Sequence, residues 1–275
     1  MSGLDVVRGW QRAWDVPHVG AAVVEPYGIR EAIGEVERRF RIASVTKPLV
    51  AYAVLVAVEE GALDLDEPAG PPGSTVRHLL AHAAGYGFES DAEEVTEPGT
   101  RRIYSNRGFE VLGAHLERAT GIPIAVYVSE AVFEPLQMAS TTLDGSPAHG
   151  VRSTVEDLSR FAVELLCPRL ISAGMAARLT TVQFPGLSGV LPGIGRFEPL
   201  DWGLGVERNF GREGHWAGQR VSADTFGHFG GAGTFLWVDP GLDRACVCLT
   251  DLTFGPWALQ SWPPLCDAVA ELAVR

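Results

Sequence analysis

Three things are scarce in this chain of 275 residues, and each scarcity removes a class of protein. No stretch stays apolar for the length needed to cross a bilayer, so a helical membrane span is not expected. The opening Met1-Ser2-Gly3-Leu4-Asp5 has no basic residue and no apolar run behind it, unlike a secretory leader, and a cytoplasmic location is the expectation. Cysteine is limited to four residues without metal-ligand spacing. Cys246 and Cys248 stand two apart in a strand-like stretch and share a face, while Cys167 and Cys266 are isolated. Buried free thiols are expected, not a disulfide framework. Positive charge is short as well. A net charge of −12 speaks against nucleic acid or an anionic membrane as partner. Internal repeats and low-complexity tracts are missing.

What is present suits a soluble globular chain with a substantial core. Hydrophobic residues make up 46% and charged residues 20%. Val7, Trp10 and Trp14 have helical spacing. Residues 18–25 and 29–36 read as strands joined at Pro26-Tyr27-Gly28. Helices are expected from near Ser44 to near Gly61, over 107–120 with Gly121 as terminator, and through residue 166 behind the capping-box string Ser153-Thr154-Val155-Glu156. Ser172 reads as a further cap, and 184–205 as a long Gly/Pro-rich loop walling a site. Near the C-terminus Asp239-Pro240-Gly241-Leu242-Asp243 joins two strands, and a last helix carries Leu265, Val269 and Leu272 on one face. The fold class is α+β: an antiparallel sheet built from both chain ends, flanked by terminal helices, with a helical insertion. One domain over 1–275 is expected, with an α/β lobe from 1–60 plus 203–275 and a helical lobe from 61–202.

Chemistry concentrates in three strings. In Ser44-Val45-Thr46-Lys47 the lysine lies one helical turn from the serine and can take its proton if the site keeps the amine neutral. Pro48 fits the first turn, and Leu49 through Val58 are apolar all round, as in a buried helix. In Tyr104-Ser105-Asn106 the phenol can relay a proton, and the carboxamide can bind both Lys47 and a substrate carbonyl. In Phe226-Gly227-His228-Phe229-Gly230-Gly231-Ala232-Gly233 four glycines surround one histidine at the head of a strand. That composition suits a backbone approached closely by something, such as a substrate along the strand edge.

Together the strings resemble the serine β-lactamase and penicillin-binding-protein superfamily. The likeness is nearer its class C branch of β-lactamases, D,D-peptidases, D-aminopeptidases and esterases, with Ser-x-x-Lys, Tyr-x-Asn and Lys/His-x-Gly as the three motifs. It runs over roughly 41–239 and includes Val76-Arg77-His78-Leu79-Leu80-Ala81-His82 and Glu134-Pro135-Leu136-Gln137-Met138. The resemblance implies a β-lactamase/transpeptidase-like fold and an acyl-enzyme mechanism. Ser44, Lys47 and Tyr104 would be catalytic; Asn106, His228, Gly230 and Gly231 would bind substrate, with the N–H groups of Ser44 and Gly231 meeting the oxyanion. Whether Lys47 or Tyr104 is the first base stays open at this level. His228 replaces the lysine of many β-lactamases of the branch, and a neutral ring attracts a carboxylate less. This favours an ester, amide or peptide-like small substrate hydrolysed in a carboxylesterase manner. β-Lactamase, D,D-peptidase or D-aminopeptidase activity is the alternative, and a non-catalytic binding module on the same fold is the reading of another class. No metal or cofactor is expected.

Other candidates read as structural. His78 and His82 stand four apart in a stretch that reads as helix, but no third ligand has suitable spacing. Gly186-Leu187-Ser188-Gly189 misses a nucleophile elbow because Val190 holds its last position. His215-Trp216 reads as structural more than as pocket wall, and the acidic stretch 89–97 as a solvated face.

Overall fold

A computed structural model describes residues 3–89, 91, 93–208 and 212–273, and a five-stranded sheet lies at its centre. The strand order is Gly28–Gly34, Val19–Glu25, Arg244–Thr250, Thr234–Asp239, Phe226–Gly230, and every neighbouring pair is antiparallel. The two ends of the chain therefore build one sheet, as expected. Side-chain alternation divides it cleanly. Ala21, Val23, Phe235, Trp237, Cys246 and Cys248 face a cluster made with Trp10, Trp257, Trp262 and Leu265 of the terminal segments. Ala22, Val24, Leu236, Val238, Val247 and Leu249 face the other way, toward the helices Thr46–Glu59 and Val155–Leu166. Covering on both faces explains why the inner strands read as unbroken apolar runs.

The Thr46–Glu59 helix is buried from Thr46 through Leu55 and again at Ala57. Core surrounds it, so its sequence needs no polar face. A 3-10 turn, Ala43–Val45, feeds straight into it. Gly121 ends the Asn106–Thr120 helix in the left-handed conformation, φ 73°, which glycine adopts without a Cβ penalty. Ser172 caps Ala173–Thr180 by accepting from the Met175 N–H at 3.1 Å.

Three details depart from the sequence reading. The cap of Val155–Leu166 is Thr154, bonded to the Asp157 N–H at 3.1 Å; Ser153 still belongs to the strand Val151–Ser153, and its Oγ meets Thr141 Oγ1 at 2.7 Å. The 184–205 stretch is not one loop. It holds a hairpin, Gly189–Leu191 with Gly195–Phe197, whose first strand runs parallel to Arg102–Ile103. Two- and three-residue strands rich in glycine carry no periodicity, and their partner is remote in sequence. Cys167 is exposed at the end of its helix, whereas Cys246, Cys248 and Cys266 are buried; all four are free thiols. No helix among the described residues is long and apolar enough to cross a membrane.

Candidate active site

Ser44 is placed by a short segment tied on two sides. The Ile42 N–H donates to Val151 O at 3.1 Å, and the Val151 N–H donates to Thr46 Oγ1 at 3.0 Å. From the sheet, Thr234 Oγ1 donates to Ile42 O at 2.8 Å. Gly230 is required at this junction, because a Cβ there would overlap the Ile42 carbonyl. Between these ties Ala43 takes a left-handed φ of 46°, a strained choice for a residue with a Cβ, immediately before the half-buried serine.

One helical turn on, Lys47 is wholly buried. Its Nζ lies 2.8 Å from Asn106 Oδ1, 3.0 Å from Ala148 O and 3.4 Å from Ser44 Oγ. Burial holds its pKa well below the usual lysine value, against a weaker opposing pull from Glu110. Glu110 also holds Ala148 in place: it accepts from Ser146 Oγ, which in turn accepts from the Ala148 N–H at 3.0 Å. Asn106 is the first residue of its helix, capped by Ser105 Oγ on the Gly108 N–H. Lys47 therefore meets the second string at a helix start.

Tyr104 is buried against Lys47, whose Nζ stands 4.7 Å from its ring centroid. The ring is packed by His82 at 4.5 Å, His228 at 5.6 Å and Trp202 at 5.8 Å between centroids. Among the described residues its hydroxyl makes no hydrogen bond of full geometry. Burial raises its pKa, and the neighbouring Ser44 hydroxyl offsets this only in part. Two residues earlier, the buried Arg102 donates to the carbonyls of Ala81, Gln183, Phe184 and Leu200, which fixes the 184–200 segment beside Tyr104. Burial lowers that guanidinium to about 10, and it remains a cation at neutral pH.

His228 sits on the edge strand opposite Leu236 and is buried. Its Nδ1 lies 2.6 Å from Phe229 O, which places the ring proton there and leaves Nε2 as an acceptor without a partner among the described residues. Burial, and then the neighbouring Lys47, lower its pKa to about 3, so the ring is neutral. Gly231 follows with open space around its Cα. Among the described residues neither the Ser44 N–H nor the Gly231 N–H donates to a backbone acceptor. Two cavities meet at Ser44 and Gly231. One is a small apolar pocket of about 120 Å³ between Phe88, Tyr104, Leu191, Pro192, Phe229 and Phe254. The other is a cleft of about 600 Å³ that passes Asn106 and opens among arginines.

All seven residues singled out from the sequence thus converge on one place. The histidine pair does not. The Val76–Leu80 helix ends before His82, which has φ 56°, accepts from the Ser105 N–H at 3.1 Å and packs on Tyr104. His78 stacks on Phe184 instead, at 4.2 Å. His215 and Trp216 hold the buried Glu207 carboxylate, at 3.3 and 3.0 Å. Burial opposes that charge, but His215, Trp216 and Arg212 outweigh it and keep the Glu207 pKa low. Glu89, Glu93, Glu94 and Glu97 are exposed; Ser90 and Ala92 of that stretch lie outside the described residues. Arg102, His82, Trp202 and the Ala148 carbonyl are site components that motif reading missed. A stronger signal was available in the composition: Lys47 is the only lysine in the chain, beside 21 arginines.

A helix-borne serine and lysine, met by a tyrosine and by the glycine-rich edge of an antiparallel sheet, define the β-lactamase/transpeptidase class of fold and site. The chain belongs to the beta-lactamase family, whose sequence model matches residues 20–265. A crystal structure of a beta-lactamase from Mycobacterium bovis is similar, with 54% identity, a TM-score of 0.94 and 98% of both chains covered. Esterase EstB of Burkholderia gladioli is 34% identical over 36% of this chain and 37% of its own length. Penicillin-binding protein 4* of Bacillus subtilis strain 168 is 26% identical over 37% of this chain and 30% of its own. The matched region spans about a third of the length of these two curated relatives.

Proposed function

We propose that this chain is a serine hydrolase that cleaves an ester or amide through an acyl-enzyme on Ser44, with a carboxylesterase type of substrate. The contact set of Lys47 carries the reading. A neutral amine has two N–H groups and one lone pair. Asn106 Oδ1 and Ala148 O accept from Nζ, and Ser44 Oγ is the third and longest contact; once the amine is neutral the two shorter contacts use its N–H groups, and its lone pair is free to take the Ser44 proton. Ser44 Oγ attacks the carbonyl carbon as its proton passes to Lys47 Nζ. The oxyanion is met by the N–H groups of Ser44 and Gly231. The bond to the leaving group then breaks, and the proton travels from Lys47 through Tyr104 to the leaving oxygen or nitrogen. Water attacks the acyl ester next, its proton moves through Tyr104 to Lys47, and Lys47 returns a proton to Ser44 as the acid departs. A raised phenol pKa suits a relay that starts protonated, and a lowered amine pKa suits Lys47 as the first base. His228 and Gly230 shape the strand edge along which the substrate lies.

The similarity to EstB and the neutral His228 support an ester over a β-lactam. The beta-lactamase description of the 54% identical structure is the observation that favours the second reading. A panel of p-nitrophenyl esters and a chromogenic cephalosporin, with intact-mass detection, separates the two. The expected result is ester turnover with an acyl mass on Ser44 that is lost in Ser44→Ala. Turnover of the cephalosporin alone would overturn the esterase reading.

A further inference from the structure

The larger cleft holds a feature that the acyl-enzyme scheme does not use. Arg41 and Arg152 are directly opposed on the antiparallel strands Phe40–Arg41 and Val151–Ser153, and both are exposed. Like charges in direct cross-strand register repel each other and weaken the pairing. Neither guanidinium makes a hydrogen bond or ion pair among the described residues. The neighbouring arginines differ: Arg38 meets Glu35 at 3.3 Å, and Arg39 donates to Thr142 Oγ1 at 2.6 Å. The cleft has one acidic wall residue, Asp251, whose Oδ1 already accepts from the His18 N–H at 3.1 Å. This concentration of positive charge occurs in a chain whose net charge is −12. Arg41 lies three residues from Ser44, so their Cα atoms are no more than about 11 Å apart.

We propose that Arg41 and Arg152 form a clamp for an anionic group, carboxylate or phosphate, on the acyl part of the substrate. The proposal rests on the hydrolase reading and adds the substrate class to it. Tyr104 delivers the proton to the leaving group and lines the apolar pocket, so the leaving group occupies that pocket. At about 120 Å³ it admits only a compact apolar alcohol or amine. The acyl part then runs past Asn106 into the arginine cleft. A substrate of this shape is a half-ester or half-amide of a short diacid, its free acid a few bonds from the scissile carbonyl. Guanidinium is suited to such a group because it binds carboxylate or phosphate through two parallel N–H donors.

The test compares phenyl pentanoate with phenyl hemiglutarate, which share a leaving group and chain length but differ in terminal charge. A phenyl phosphonobutanoate arm distinguishes phosphate from carboxylate. The expected result is a higher kcat/KM for one anionic ester, with the anionic-to-neutral ratio falling at least tenfold in the Arg41→Gln/Arg152→Gln double variant. The preference shrinks as salt is raised, because the clamp is exposed. An unchanged ratio in the double variant overturns the clamp. Calorimetric binding of glutarate and of inorganic phosphate to the Ser44→Ala protein, with and without the arginine substitutions, separates the two layers. Binding that needs the arginines while no ester is hydrolysed sustains the clamp and sinks the hydrolase reading. Ester hydrolysis without anion preference, and without such binding, does the reverse.

Discussion

The floor and the rim of this site treat basic side chains in opposite ways. On the floor Lys47, His82 and His228 are buried, and burial pushes each pKa below its ordinary value. At the rim Arg41 and Arg152 stay exposed, as solvated guanidinium cations. On the proposed mechanism the chain's single lysine stands where a basic residue must lose its proton, and on the proposed clamp arginine serves where the charge must persist. The lesson is that residue type follows the protonation state required. A buried ammonium must be neutralised or matched by charge, whereas a solvated guanidinium needs neither. Arg102 sharpens the contrast: it is buried and cationic, but four carbonyls satisfy its donors.

Substitutions can break the comparison. Ser44→Ala should have the largest effect, lowering ester turnover by about 10³-fold or more with an unchanged circular dichroism spectrum. Lys47→Arg comes next. It keeps a basic side chain but removes the ability to release a proton, so kcat should fall by about 10²–10⁴-fold and the melting temperature should drop. Near-normal turnover in that variant would contradict a neutral floor. Tyr104→Phe removes the relay but leaves Lys47 in place, and a loss of about 10²-fold is expected, with leaving groups of high pKa suffering most.

The smallest effect concerns pH and stability. His228 titrates near 6.5 when unfolded and at about 3 when folded, so the unfolded chain binds more protons between those values. Stability from this group is complete above about 6.5 and is lost as pH falls toward 3. Denaturant melts across pH 4–7 should show that slope, and His228→Gln should reduce it, leaving the part that the buried His82 contributes with the same sign.

Much of this site is legible in the sequence because its parts follow local rules. The hairpin at Pro26-Tyr27-Gly28, the left-handed Gly121 and the apolar helix behind Lys47 each follow from residue type and spacing. The sheet from both chain ends follows from where the apolar runs lie. What stayed hidden depends on backbone atoms or distant partners. The Ala148 carbonyl that anchors Lys47 has no side-chain signature, and the left-handed Ala43 looks like any alanine. Arg102 reads as a surface charge until its carbonyl acceptors are known. The hairpin within 184–205 needs its partner at Arg102–Ile103 before it reads as a strand pair. The cap on Val155–Leu166 moved by one residue because Ser153 is still paired with Phe40 in the strand Val151–Ser153.

A neutral Lys47 is the claim on which the floor, the proton path and the contrast with the rim all rest. One lysine gives one signal, so ε-¹³C-lysine labelling reads its titration directly by NMR without assignment. The account predicts a single resonance that titrates well below 10.5, with the pH dependence of acylation following the same curve. A resonance that stays in the ammonium position up to the ordinary lysine pKa would contradict it.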